Sequence, residues 1–194
     1  LGLNSNTSYS SPKQVPGTTW GTAISGGGNH AGAIKTDGTL WMFGFNNNGQ
    51  LGQNNTTTYS SPRQVPGTTW SKMSSLGGGV VAIKTDGTLW AWGSNARGRL
   101  GLNQADTTKY SSPVQVGTDT TWSIIKSQNQ SVIATKTDGT LWTWGKNGGD
   151  YEGILGHNDA VDRSSPTQLG TTWKVGGDRQ IGSTDFGFMA IGQL

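Results

Sequence analysis

Few residues in this chain invite a chemical reading. His30 and His157 are the only histidines. They stand at different points of the chain's pattern, and a general-base or metal pair needs two groups in one place. Asp150, Glu152, Asp159 and Asp162 crowd one stretch. A calcium loop uses several oxygens at close spacing around a Gly turn, but the order DxDxDG is absent, so no metal is expected. Gly26-Gly27-Gly28 and Gly77-Gly78-Gly79 are glycine runs without the GxxxxGK[ST] order that cradles phosphate. Cysteine is missing altogether, which excludes a thiolate nucleophile, a disulfide framework and a Cys-based zinc site. No Ser-His-Asp set can be assembled. The expectation is a chain without catalytic residues, metal or cofactor, and not an enzyme.

Asp37, Asp86 and Asp138 differ from these because they recur, and recurrence leads back to the elements that carry them. Each opens the wording DGTLW, followed by Gly38, Gly87 or Gly139. Upstream stand the TTW motifs ending at Trp20, Trp70, Trp122 and Trp173, and SSP motifs place Pro12, Pro62, Pro113 and Pro166. Successive copies are offset by 49 to 53 residues. A fixed period of that size marks a solenoid or a propeller. Asp-Gly between two β-rich runs predicts a type I′ hairpin with φ > 0 at both central residues. On that reading the turn accounts for the aspartates, since Asp tolerates the left-handed region and bonds its own backbone.

One unit therefore reads as four strands. AIK and TLWxW pair across the Asp-Gly turn, TTW begins a third strand, and SPxQV supplies a fourth with Pro at its first residue. Alternation places Trp90 and Trp92 on one face and Leu89 and Ala91 on the other. Both faces are apolar, as in a strand sandwiched between stacked sheets. Trp41, Trp90, Trp92, Trp142 and Trp144, with Gly38, Gly87 and Gly139, are assigned to this framework. The fold class expected is all-β: a partial or small β-propeller of about four four-stranded blades. The chain is one repeat domain, 1–194, with units of approximately 1–50, 51–99, 100–154 and 155–194.

The last copy admits two alignments. Ser183 to Gly192 can match KTDGTLWTWG, which gives a fourth whole unit and is preferred for its apolar alternation and final Gly. Alternatively, Met189-Ala190-Ile191 matches AIK and the last strand is missing. The chain opens on Leu1-Gly2, the end of a unit, so a piece of a longer polypeptide or loss of an upstream segment is expected. Stacked blades leave flat apolar end faces unless a ring closes. The chain is expected either to close as four blades or, preferably, to complete its ring with another polypeptide.

Composition narrows the setting. Of 194 residues 31% are apolar and 13% charged, with nine Trp and 32 Gly. Recurring Trp can supply a core when aliphatics are few. The net charge of +3 is spread through the repeats without a run, so no nucleic-acid footprint is expected. No apolar stretch is long enough to insert in a membrane. The polar, weakly charged composition suits an extracellular or virion surface.

The wording TLWxWG-x-N-xx-G-x-LG followed by SSPxQV resembles the regulator of chromosome condensation repeat family. It is carried by Leu89-Trp90-Ala91-Trp92-Gly93 with Asn95, Gly98, Leu100 and Gly101, and by Leu40-Trp41-Met42-Phe43-Gly44 with Asn47, Gly49, Leu51 and Gly52. Nearly the whole chain is covered. TDGTLWAWG is closer to bacterial and phage members than to the nuclear protein. The resemblance implies a propeller, usually of seven blades, and a protein partner. The nucleotide-exchange and chromatin functions of nuclear members depend on loops outside the repeat and are not carried over.

Variation collects after TLWxWG. The first copy has Phe45 and three Asn there, the second Arg97 and Arg99, and the third an insertion over 147–155 with Tyr151 and Glu152. Loops at one repeat phase emerge on one face, and Tyr and Arg are common interface anchors. Phe45, Arg97, Arg99, Tyr151 and Glu152 are thus the candidate protein-binding residues. The leading function is a non-enzymatic module for protein interaction or structural assembly, including self-assembly. A secreted glycan-recognition domain is the alternative, and an accessory domain of an enzyme a weaker one.

Overall fold

The structure, a computed structural model, describes residues 2–149, 153–170, 181–184 and 187–190. Three four-stranded antiparallel sheets follow one another in sequence. The first holds β1 (Trp20–Gly26), β2 (His30–Lys35), β3 (Leu40–Gly44) and β4 (Tyr59–Gln64). The second holds β5 (Trp70–Ser75), β6 (Gly79–Lys84), β7 (Leu89–Ser94) and β8 (Lys109–Gln115). The third holds β9 (Trp122–Gln128), β10 (Ser131–Lys136), β11 (Leu141–Gly145) and β12 (Arg163–Leu169). A fourth sheet has two strands, β13 (Ile181–Thr184) and β14 (Gly187–Ala190). Helical structure among the described residues is confined to a 3₁₀ turn at Ala96–Gly98 and to the 3₁₀ conformation of Gly149. Each sheet is one blade running from TTW to the next SSPxQ, so the sequence units begin part-way through a blade.

Strands β1, β5 and β9 lie side by side and form the inner strands of three adjacent blades. Serines sew them together. The Ser25 hydroxyl accepts the Ser75 N–H (2.9 Å), the Ser74 hydroxyl accepts the Ser127 N–H (2.9 Å), and the Ser127 hydroxyl donates to the Ser75 carbonyl (2.9 Å).

The core lies between blades. Trp92 is packed with Ile34, Leu40 and Met42 of the first blade, while Leu89 and Ala91 of the same strand face Val132 and Trp144 of the third. The alternation read for β7 is thus realised, with both faces packed against a neighbouring blade. The Trp92 Nε1–H reaches back to the Gln50 carbonyl (3.0 Å), and Trp144 does the same to Arg99 (3.1 Å). These indoles bridge neighbouring blades while filling the space between them.

The hairpin differs from the type I′ turn expected. Gly38, Gly87 and Gly139 have φ of 78°, 77° and 82°, but no aspartate of these turns has positive φ. The Gly38 N–H donates to Lys35, and the Lys35 N–H to Thr39. This is a three-residue loop, a type I turn closed by a left-handed Gly. Asp stays on the ordinary side of φ, and its carboxylate takes up the next threonine. Asp86 Oδ1 accepts the Thr88 N–H (3.0 Å) and hydroxyl (2.7 Å), and Thr88 Oγ1 accepts the Trp90 Nε1–H (2.8 Å). The same relay links Asp37 to Trp41 and Asp138 to Trp142.

SSPxQV also departs from expectation. Pro62, Pro113 and Pro166 sit inside β4, β8 and β12, not at their first residues. These are the outer edge strands. Register shifts between Met42 and Gly44, Ala91 and Gly93, and Thr143 and Gly145 release the ladder where the prolines lie. Edges and bulges are where a strand tolerates Pro, because no donor is needed there. The first SSP, at Pro12, forms no strand.

The fourth sheet settles the alignment of the last copy. Ile181 pairs with Ala190, as Ile24 with Ala33, Met73 with Ala82 and Ile125 with Ala134. β13 also lies against β9, the place that β9 takes against β5. β13 therefore matches the TTW-derived strand and β14 the AIK strand, which reverses the preferred alignment. Trp173 and residues 191–192 of that alignment lie outside the described residues.

Candidate functional site

Each blade has two ends. At one, the Asp-Gly hairpin of a blade docks on the next blade: the Trp70 N–H donates to Gly38 (2.9 Å) and the Trp122 N–H to Gly87 (3.1 Å). At the other, the loop after TLWxWG meets the turn between the first two strands, as the Phe45 N–H bonds Asn29 (2.8 Å) and the Lys146 N–H bonds Gln130 (3.0 Å). The candidate residues belong to this loop end.

A buried asparagine builds each loop, a role that sequence reasoning missed although Asn95 stood in the repeat wording. Asn46, Asn95 and Asn147 are fully buried. Asn95 donates through Nδ2 to the Gln104 (2.9 Å) and Ala105 (3.2 Å) carbonyls and accepts the Leu100 N–H (3.1 Å). Asn46 does so with Asn55, Thr57 and Leu51, and Asn147 with Asp159 and Leu155. A primary amide is one of the few side chains that can serve backbone donors and acceptors together. The first-copy equivalent of Asn95 is thus Asn46, one residue before the Asn47 aligned from the repeat wording. The available signal was an Asn at one phase in all three copies.

On this frame two candidates face solvent. Phe45 is 40% exposed. Arg97 holds a left-handed backbone (φ 63°), and its 56%-exposed side chain reaches Asp162 at 3.4 Å, a contact between neighbouring blade loops. At this exposure the pair is worth well under about 1 kcal/mol. Arg99 points inward. It is 8% exposed, bonded to Ser94 Oγ (3.2 Å) and reaching the Asn129 carbonyl (3.5 Å), and burial pushes its guanidinium pKa down. Its backbone carbonyl accepts the Trp144 indole, so the position serves blade stacking. Tyr151 and Glu152 lie outside the described residues.

Of the acids of the third loop, Asp159 and Asp162 are engaged locally, and Asp150 and Glu152 lie outside the described residues. Asp159 takes both Arg163 nitrogens (3.0 and 2.8 Å) and the Val161 N–H, which hold its carboxyl far below the ordinary range. Asp162 Oδ1 accepts the Asn147 and Gly148 N–H groups (2.7 and 3.1 Å). No group of three or more His, Cys, Asp or Glu is placed to hold a metal among the described residues. His30 is buried at the start of β2, and burial pushes its pKa to about 4. His157 Nε2 lies 3.0 Å from Thr143 Oγ1, in a different blade.

The repeat lysines lie on indoles. Lys84 Nζ is 4.0 Å from the Trp90 ring centroid and 4.9 Å from that of Trp70, and Lys136 is 3.9 Å from Trp142 and 4.8 Å from Trp122. Lys35 repeats the arrangement with Trp20 and Trp41. These are cation–π contacts. They cover the half-buried Trp41, Trp90 and Trp142, while Trp92 and Trp144 are fully buried.

Comparison with known proteins agrees with this architecture. A profile described as the regulator of chromosome condensation (RCC1) repeat matches residues 37–83 and 86–127, and a second profile of the same description matches 22–50. Among solved structures the chain is similar to human WBSCR16 (18% identity, TM-score 0.64, covering 77% of this chain and 37% of that one). It is similar to Prp20p from Saccharomyces cerevisiae (18%, 0.66, 77% and 38%) and to yeast RCC1 (Prp20) bound to Kap60 (19%, 0.64, 84% and 40%). At these identities the likeness is one of fold. The chain spans about two fifths of the length of these three. No curated protein matches it. With RCC1 repeats over residues 22–83 and 86–127, more than half its length, and the matching blade architecture, this chain belongs to the RCC1 repeat family.

Proposed function

We propose that the chain is a non-enzymatic protein-interaction module that recognises its partner with the loop end of its blades. One observation carries this reading. The recurring polar side chains are engaged within the scaffold, whereas Phe45 and Arg97, which break the repeat, stand exposed at that end. An exposed aromatic and an Arg are the side chains that anchor protein interfaces. Solved structures of this fold point the same way: that of Prp20p is described with its binding properties to Gsp1p and histones, and a second shows yeast RCC1 bound to Kap60. The glycan alternative is less favoured, because the fully buried Trp92 and Trp144 and the lysine-covered Trp90 and Trp142 offer no open sugar-stacking platform. A bacterial or phage source, from the TDGTLWAWG wording, and an extracellular or virion setting, from the polar composition, belong to the same proposal.

The test is capture of partners by the immobilised chain and by the Phe45→Ser, Arg97→Ala double variant. Both substitutions are exposed, so the melting curve should not move by more than about 2 °C. Partners held by the parent and lost by the variant support the reading. Partners retained by a folded variant remove the loop end from consideration.

A further inference from the structure

Neighbouring inner strands are joined by a lysine at one blade contact and lack it at another. Between the second and third blades, Lys72 of β5 extends its ammonium to the Ser123 carbonyl of β9 (2.6 Å). Strand register identifies the first-blade counterpart of Lys72. Met73 pairs with Ala82 and Ile24 with Ala33, so the residues just before them, Lys72 and Ala23, hold one position. The serine bridges agree, since the Ser25 hydroxyl accepts Ser75 as the Ser74 hydroxyl accepts Ser127. The first blade also has an extra residue here. Gly21-Thr22-Ala23 stands between Trp20 and Ile24, where Ser71-Lys72 stands between Trp70 and Met73, against partner segments of equal length. The surplus widens the bulge of β1, and bulges re-aim side chains.

Where the second blade has a lysine, the first therefore has a methyl group. Ala23 packs on the cluster that holds Trp70 and Met73. Beside it lies an open recess of about 470 Å³, lined by Thr22, Ala23, Asp37, Thr69, Trp70 and Ser71 among others. Ser71 directly follows its blade's first tryptophan, as Ser123 does in the third, so it is the counterpart of the residue whose carbonyl receives Lys72. The lining comes from β1, the β2–β3 hairpin, the entry to β5 and the turn after β6. The recess thus belongs to a contact between two described blades and not to the outer face of the first. In the third blade the same position is Ile124, buried with Ile133 and Leu141. Three copies put Ala, Lys and Ile at one site, and the recess lies where the side chain is smallest.

The chemistry of the recess matches a primary ammonium. Such a group brings three donors and no acceptor, and threonine and serine oxygens converge here. Asp37 supplies a counter-charge, its carboxylate accepting the Thr39 N–H (2.9 Å) and hydroxyl (2.6 Å). The cation already present is committed elsewhere: Lys35 Nζ lies 4.4 Å from the Trp41 ring centroid and 5.0 Å from that of Trp20. Ala23, Ile34 and Trp70 offer an apolar wall for an aliphatic stem, which is how a lysine lies along a protein surface. We infer that this recess takes a lysine side chain from a basic segment of a protein partner, its ammonium on the Ser71 carbonyl as that of Lys72 is on Ser123. The recess stands at the hairpin end, away from Phe45 and Arg97, so the inference does not rest on the loop-end reading.

The test uses Nα-acetyl-lysine methylamide, followed in the amide NMR spectrum of the 194-residue chain. Thr22, Ala23, Thr69 and Ser71 should show saturable shifts with half-saturation below about 10 mM, and the norleucine analogue, which keeps the stem and lacks the ammonium, should bind at least about tenfold more weakly. Ala23→Lys should abolish these shifts, because the chain then fills its own recess. It should also raise the melting temperature by about 2–4 °C, the worth of one bond to a charged group in a chain of this size. Absence of shifts at the recess by about 50 mM overturns the inference. So does equal binding of the norleucine compound, or binding undiminished in Ala23→Lys. A lowered melting temperature for Ala23→Lys would remove the equivalence with Lys72 on which the inference stands.

Discussion

A methyl group at Gly87 should cost far more than its backbone angle alone explains. Gly87 has φ 77°, and an added Cβ would fall within overlap distance of the Thr120 carbonyl, a backbone atom of the segment that enters the third blade. Gly117 is also left-handed (φ 63°), but nothing lies within 4 Å of its Cβ position. Gly117→Ala therefore measures the conformational cost alone, about 1–2 kcal/mol. Gly87→Ala pays this cost and also forces the hairpin away from its neighbour. That breaks the Trp122 N–H to Gly87 bond, leaves its groups unpaired and loosens a tryptophan that is 4% exposed. Lost bonding of this kind adds about 1–3 kcal/mol, for a total of about 2–5. At about 2–4 °C per kcal/mol for a chain of this size, Gly117→Ala should lower the melting temperature by about 2–8 °C and Gly87→Ala by about 4–20 °C. Gly38→Ala, whose Cβ meets the Thr69 backbone at 3.2 Å, should fall between them. Thermal melts of the three variants at one pH decide the matter. If Gly87→Ala and Gly117→Ala melt within about 2 °C of each other, the hairpin is not a contact between blades and the stacking argument fails.

Asn95→Ala should cost about 2–4 kcal/mol in chemical denaturation, since a fully buried amide is lost together with its bonds to three backbone groups, whereas Asn47→Ala, at an exposed site, should stay within about 0.5; equal effects would mean the loop is not built on the buried amide. Trp92→Phe should destabilise by about 1–3 kcal/mol by deleting the donor to the buried Gln50 carbonyl, and a neutral result would discount the indole bridge. His30 is held neutral by burial, with a pKa of about 4 against an unfolded value of 6.5. Its contribution is therefore complete above pH 6.5 and is lost as pH falls toward 4, by about 3 kcal/mol. His30→Ser, copying Ser131 at the equivalent position, should lose less stability between pH 7 and pH 4.5 than the parent.

The blade was legible because its determinants are local and repeated. A 49–53-residue period, Asp-Gly turns and two-sided apolar strands each point to stacked four-stranded sheets. What escaped was whatever depends on a partner strand or a neighbouring blade. The turn type hinges on whether Asp takes the left-handed angle, which the dipeptide Asp-Gly alone does not decide, and the Asp–Thr–Trp relay that engages the carboxylate runs from the turn into the following strand. Pro62 was misplaced because the ladder irregularity that tolerates it arises in pairing with β3. The last copy was misaligned because apolar alternation is common to both candidate strands; only the Ile181–Ala190 register separates them.

The candidate site teaches the same lesson more sharply through Arg97 and Arg99. They are two residues apart in a loop that varies between copies, and variation marked both as surface. Gly98, fully buried beneath the Ser164 backbone, turns the chain between them. Arg97 is left outside, and Arg99 faces the gap between blades, where its equivalent in the first copy is the buried Gln50. What that position must supply is its backbone carbonyl, to Trp144 in one case and to Trp92 in the other. Any side chain that folds inward beside the first-strand turns fulfils the role, so blade stacking by itself leaves the side chain there free to vary. Variation at a repeat phase therefore marks freedom of side-chain identity. It marks an interface only where the side chain is also exposed, and at the loop end that condition holds for Phe45 and Arg97 and fails for Arg99.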